Sequence, residues 1–258
     1  MKTKSLSIFL VALFVVEMNL GAVEDNNENK EDEEFKYEKI DKEVPVNEVD
    51  LFLKMILIGN SMVGKSALSE KICKNEFPEK YSPTVGFDFF NLKFRIVSDK
   101  KPVLKYQIWD CCGQELYRSL ITNFYRNASV CLLVYDVTNV KSFNNIDVWL
   151  KTTKENSNGE IEHFVLIGTK IDLENKRVVS KESGRKFAEE KGMKFVEVSA
   201  STGDGIKELE YILAKIIYEE FNRKKKVEDD SECDFIVGEK PTHSRSLCDC
   251  CKEICEDC

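Results

Sequence analysis

The sequence predicts an α/β domain built on a mostly parallel sheet, with ligand-binding loops at the carboxyl ends of its strands. Three observations carry this. Apolar runs at Leu51-Phe52-Leu53-Lys54-Met55-Ile56-Leu57-Ile58, Val130-Cys131-Leu132-Leu133-Val134-Tyr135 and Phe164-Val165-Leu166-Ile167 are nearly continuous, as expected for strands covered on both faces. Stretches with helical apolar spacing, residues 142–154, 181–191 and 206–222, alternate with them, the order that produces a parallel sheet. Between the first strand and a helix beginning near Ala67 stands Gly59-Asn60-Ser61-Met62-Val63-Gly64-Lys65-Ser66. Strand, glycine loop and helix in that order are the context of a phosphate-binding loop.

In chain order, residues 1–23 combine a basic start (Lys2, Lys4) with a largely apolar run over residues 6–16. That is too short to span a bilayer and matches a signal-peptide core or an anchor. Residues 24–50 hold twelve acidic residues against four lysines, which accounts for the whole net charge of −8. Such a stretch is expected to be a disordered acidic linker. The folded domain is expected over 51–222. Its first helix leads into a proline-containing loop over 77–86. Two strand candidates, 87–97 and 103–109, follow, with a turn at Ser98-Asp99-Lys100-Lys101-Pro102 between them. The strands at 130–135 and 164–167 and the three helical stretches already named follow, together with a short strand at 194–198. Residues 223–258 are expected to form a flexible cysteine-rich tail. With charge concentrated in one acidic segment, nothing indicates a nucleic-acid surface. The ten cysteines crowd toward the C-terminus, five of them within the last eleven residues, which is not a disulfide framework.

The loop's chemistry follows from its residues. Gly59 and Gly64 let backbone N–H groups turn inward where side chains would obstruct a phosphate. The helix N-terminus adds partial positive charge. Lys65 offers a full charge to the outer phosphates, and Ser66 a hydroxyl to Mg²⁺. Ser61, Met62, Val63, Gly64, Lys65, Ser66 and Ala67 are the candidate contacts of this loop. By itself the loop specifies a nucleoside triphosphate and not which one.

At the end of the third strand stands Trp109-Asp110-Cys111-Cys112-Gly113-Gln114-Glu115. With the phosphate loop, this resembles a small GTPase of the Ras superfamily. Thr84-Val85-Gly86-Phe87-Asp88-Phe89, Tyr106-Gln107-Ile108-Trp109-Asp110, Phe124-Tyr125-Arg126-Asn127-Ala128 and Leu133-Val134-Tyr135-Asp136-Val137-Thr138 are similar to the Rab family in particular. The resemblance covers residues 51–222. It implies the P-loop GTPase fold, a mostly parallel six-stranded sheet with about five helices. It also implies Mg²⁺-dependent GTP binding, slow hydrolysis to GDP, and a switch read by effectors, an exchange factor and a GTPase-activating protein.

Residue by residue, the resemblance implies that Ser66, Thr84 and Asp110 hold Mg²⁺ and that Thr84 and Gly113 sense the γ-phosphate. Gln114 would orient the attacking water, with Lys65 and Thr84 completing the catalytic set; the general phosphoryl-transfer template takes that role from Ras itself. Phe77 would edge the base, with a core phenylalanine as the competing reading, and Tyr81 joins the nucleotide contacts. Gly168-Thr169-Lys170-Ile171-Asp172-Leu173 follows the fifth strand. Asp172 can accept from both the ring N–H and the exocyclic amine of guanine, a pair adenine lacks, so adenine would leave a desolvated carboxylate unpaired. Lys170 would lie over the base, and Thr169 stands where most Rab relatives carry asparagine. Ser199, Ala200 and Ser201 resemble the last guanine loop. Met62, Cys111 and Cys112 depart from the family pattern, which leaves a binding module with little hydrolysis as the alternative function.

In the tail, Arg223-Lys224-Lys225-Lys226 precedes the cysteines, and Rab relatives carry prenyl groups there. Cys255 and Cys258 are the expected acceptors, with a Zn²⁺ cluster as the alternative. A membrane-facing tail on the cytoplasmic side of an intracellular membrane is the expected location. A secretory lumen, suggested by the N-terminal segment, is the alternative.

Overall fold

The computed structural model describes residues 35–78, 84, 86–111, 125–157 and 159–237, with 228–237 as backbone. The compact unit begins at Lys36. Its strands are β1 (Tyr37–Lys39), β2 (Leu51–Ile58), β3 (Phe87–Ile96), β4 (Val103–Cys111), β5 (Ala128–Asp136), β6 (His163–Thr169) and β7 (Lys194–Val198). Among the described residues its α-helices are α1 (Lys65–Lys74), α2 (Val140–Asn144), α3 (Ile146–Asn156), α4 (Lys181–Glu190) and α5 (Ile206–Val237).

The strands form one sheet in the order β1-β3-β4-β2-β5-β6-β7. β2 pairs in parallel with both β4 and β5, and β6 and β7 continue the parallel half. β3 and β1 run antiparallel at the other side. Central β2 and β5 are buried almost throughout, which is why they read as unbroken apolar runs. One side of the sheet is sealed by a cluster that includes Ile56, Leu133, Tyr135, Trp149 and Leu166.

Three sequence expectations are corrected. The linker expected over 24–50 is ordered from residue 35 onward. β1 adds a seventh strand to the expected six, and a 3₁₀ turn spans Val46–Glu48. Composition misled there, because a strand of three residues needs only one or two well-placed contacts and shows no periodicity. The helix expected over 142–154 is two helices meeting at Asn145; Asn139 caps the first by accepting from the Ser142 N–H at 3.2 Å. The tail expected to be flexible from 223 instead continues α5 to Val237. No glycine or proline interrupts the sequence from Ile206 to Val237, and most residues from 223 to 230 are compatible with a helix.

Candidate functional site

β2 delivers the chain into the phosphate loop. At Gly59 (φ +153°) an added Cβ would lie 2.2 Å from the Val134 carbonyl oxygen, so only glycine permits this approach to β5. Gly64 (φ +97°) caps α1 in a left-handed conformation. Lys65 is 6% exposed, and its ammonium donates to the carbonyls of Gly59 at 3.0 Å and Asn60 at 2.8 Å. Its charge is therefore held over the loop. Asn60 is fixed in turn by the Trp149 indole N–H, which donates to its side-chain oxygen at 2.7 Å.

Ser66, Thr84 and Asp110 come together from three separate segments. The Ser66 and Thr84 hydroxyls lie 2.7 Å apart, and Ser66 Oγ donates to Asp110 Oδ2. Asp110 is fully buried, and its Oδ1 has no hydrogen-bond partner. Burial pushes its carboxyl above the usual carboxylate range, opposed by the Ser66 hydrogen bond and the Lys65 charge. A buried carboxylate oxygen without a hydrogen-bond partner beside two hydroxyls is a donor set of the hard-oxygen kind that a Mg²⁺ ion takes.

The loop after β6 is tied to the phosphate loop at two successive carbonyls. Thr169, 4% exposed, places its hydroxyl 2.5 Å from the Val63 carbonyl and 2.9 Å from the Tyr135 carbonyl. Lys170 (φ +63°) donates to the Met62 carbonyl at 2.8 Å and pairs with Asp136 at 2.7 Å. Its stem thereby bridges the phosphate loop and the end of β5. Asp172 accepts from Ser199 Oγ at 2.6 Å. Ser199 Oγ lies 2.9 Å from Ser201 Oγ and accepts the Thr202 N–H at 3.1 Å. One buried serine thus orients the exposed carboxylate from the neighbouring loop.

Phe77 is 51% exposed, which removes the core-phenylalanine reading. Met62 is 66% exposed at φ +66°, a left-handed conformation that disfavours a branched or bulky side chain. Ser61 is exposed beside it, and Ala67 and Ala200 are partly buried. Tyr81, Cys112, Gly113, Gln114, Cys255, Cys258 and residues 1–23 lie outside the described residues. Sequence reasoning assigned no role to Asn60 or Asp136, which the structure shows holding the loop and Lys170. Asp136 was discoverable, because it ends a parallel strand where ligand loops gather. Asn60 was not, because its partner Trp149 lies far along the chain.

A nucleotide site of this topology, with a phosphate loop, a carboxylate at the end of β4 and a lysine and an aspartate on the loop after β6, defines a class. The Ras family model matches residues 54–219, and the chain belongs to the Ras family. Within it, the chain is 40% identical over 175 residues to Ras-related protein Rab-8B of Homo sapiens, covering 68% of this chain and 83% of that protein. It is 39% identical over 178 residues to Ras-related protein SEC4 of Saccharomyces cerevisiae, covering 69% and 80%. The chain is a Rab-like small GTPase.

Proposed function

We propose that this GTPase is a membrane-associated switch in vesicle traffic, acting on the cytoplasmic face of an intracellular membrane. The observation that carries the switch is the convergence of Ser66, Thr84 and Asp110 on one point. Thr84 comes from the loop between α1 and β3, so whatever holds its hydroxyl also holds that loop. Mg²⁺, held by Ser66, Thr84 and Asp110, supplies charge neutralisation to the phosphates when bound. Lys65 binds the outer phosphates, Lys170 and Phe77 flank the base, and Asp172 selects guanine. Ser61, Val63, Gly64 and Ala67 line the phosphates, and Ser199, Ala200 and Ser201 close the base site. Gln114 orients water for hydrolysis, and Gly113 and Thr84 follow the γ-phosphate. Its loss releases both loops from effectors and regulators.

Among the described residues no helix is long and apolar enough to cross a membrane. Attachment is assigned to prenyl groups at Cys255 and Cys258, assisted by the basic run 223–226 on α5, because two lipid chains anchor stably where one does not. Two measurements test the assignment. Intact mass of the protein from eukaryotic cells should show prenyl adducts on the tail. Protease treatment of sealed vesicles should digest the GTPase domain; protection of that domain would place it in the lumen and refute the location.

A further inference from the structure

Met62 stands in the turn of the phosphate loop, at φ +66° and with 66% of its surface exposed. In that left-handed conformation a Cβ comes too close to the following carbonyl oxygen, a cost that glycine escapes and asparagine bears more easily. Five described non-glycine residues have positive φ: Met62, Asn75, Lys101, Asn127 and Lys170. Two are asparagines, and Lys101 lies in the exposed connection between β3 and β4. The other two meet each other, since the Lys170 ammonium donates to the Met62 carbonyl at 2.8 Å. With so much of the methionine exposed, packing does not compensate its conformation. Backbone strain of this kind gathers where a loop serves a ligand.

The strained turn aims the loop's donors. In a trans peptide the carbonyl and the N–H of one plane point in opposite directions. The Met62 carbonyl is turned to Lys170, and the Val63 carbonyl to the Thr169 hydroxyl at 2.5 Å. The N–H groups of Val63 and Gly64 therefore point away from the base loop, as the donors of an anion-binding nest, in which a left-handed residue takes part. Keeping a phosphate on those donors requires Met62 to stay left-handed. Once the phosphate leaves, the turn can relax. Lys170 opposes that relaxation through one hydrogen bond exposed to water, which resists it modestly. Much of the conformational cost therefore falls on the bound state.

We propose that Met62 sets the rate at which this GTPase lets nucleotide go, by straining the loop that offers Val63 and Gly64 to the phosphates. Taken with the guanine-nucleotide site on which it rests, this role makes the switch partly self-loading. Glycine at this position would hold a phosphate without strain. Methionine loosens the hold, so GDP leaves for GTP with less help from an exchange factor. Met62 acts through the backbone it distorts and is a positioning residue.

The test is release of a fluorescent GDP analogue from the full chain in Mg²⁺, with Tm measured in EDTA without nucleotide. Met62→Gly should slow release by about threefold or more, because it removes the left-handed cost and adds only the lesser one of glycine's freedom. Met62→Asn keeps a side chain but tolerates the conformation, and should slow release by less. Met62→Val adds β-branching and should accelerate release by about threefold; if it fails to fold, the other two variants decide. Unchanged release from Met62→Gly and Met62→Asn with a raised Tm would put the strain wholly into folding. Faster release from both would show that the methionine side chain itself holds the nucleotide. Either result overturns the proposal. An unaltered chain that does not retain the analogue would instead overturn the guanine-nucleotide site, and the proposal with it.

Discussion

Thr169 links the base loop to the phosphate loop through one hydroxyl, and removing that hydroxyl has a calculable effect. Thr169→Val keeps the branched shape and deletes the donor. The hydroxyl is buried, 2.5 Å from the Val63 carbonyl and 2.9 Å from that of Tyr135. A hydroxyl carries one hydrogen, so one of those carbonyls receives it and loses it on substitution. A buried acceptor left unpaired costs about 1–3 kcal/mol. Part of that loss falls on folding, at roughly 2–4 °C of Tm per kcal/mol for a domain of this size. The rest falls on nucleotide affinity, because Val63 lies in the phosphate loop and its carbonyl orientation sets the neighbouring N–H groups. Release of a fluorescent GDP analogue should accelerate by about tenfold, equivalent to roughly 1.4 kcal/mol. Thr169→Asn supplies two amide hydrogens for the two carbonyls and should slow release below that of the unaltered protein. Release from Thr169→Val at the unaltered rate would show that this bridge does not organise the loop.

Three further outcomes follow from the site. Asp172→Asn should weaken GTP and strengthen xanthosine triphosphate in competition binding, because the new amide donates where the carboxylate accepted; unchanged preference would remove Asp172 from base selection. Asp110→Asn should abolish the tightening of nucleotide by Mg²⁺ while leaving Tm in EDTA unchanged or higher. Burial raises the Asp110 carboxyl, so the folded state holds that proton more tightly than the unfolded chain. In EDTA this group therefore adds stability as pH falls toward acid and subtracts it above its folded-state value; a fall in Tm for Asp110→Asn would contradict this. Cys73, pushed to about 12 by burial, should resist alkylation at pH 8 in the folded protein and react once it is unfolded, as mass spectrometry would show; rapid labelling of the native protein at Cys73 would refute the burial argument.

Much of the fold was legible because its signals are local. β2, β5 and β6 are buried on both faces, and their apolar runs announce it. The glycine loop declares itself because Gly59 must pass within contact of Val134 and Gly64 must turn left-handed. Element ends were blurred: β4 runs to Cys111 because its last two residues pair with β3, which the apolar pattern alone does not record. β1 was illegible because its evidence is almost wholly non-local. Tyr37 finds Phe94 and Tyr211, and Lys39 finds Glu210, none of them near in sequence. The end of α5 was missed for the opposite reason: charge was read as solvation, whereas those same residues sustain a helix. At the site, the sequence pattern anticipated that Ser66, Thr84 and Asp110 would meet, and it singled out Asp172 as a candidate. The supporting contacts were not legible, since Ser199 beneath Asp172, Asp136 beside Lys170 and Trp149 against Asn60 are pairings only the folded chain makes.

The central claim is that this chain binds guanine nucleotide and hydrolyses GTP as a switch. Single-turnover hydrolysis by the purified full chain loaded with GTP and Mg²⁺ tests it most directly, with ATP as competitor and Gln114→Leu beside it. The account predicts phosphate release from GTP, no displacement by equimolar ATP, and slower release from Gln114→Leu with nucleotide affinity intact. Equal competition by ATP, or no phosphate released from bound GTP, would contradict it.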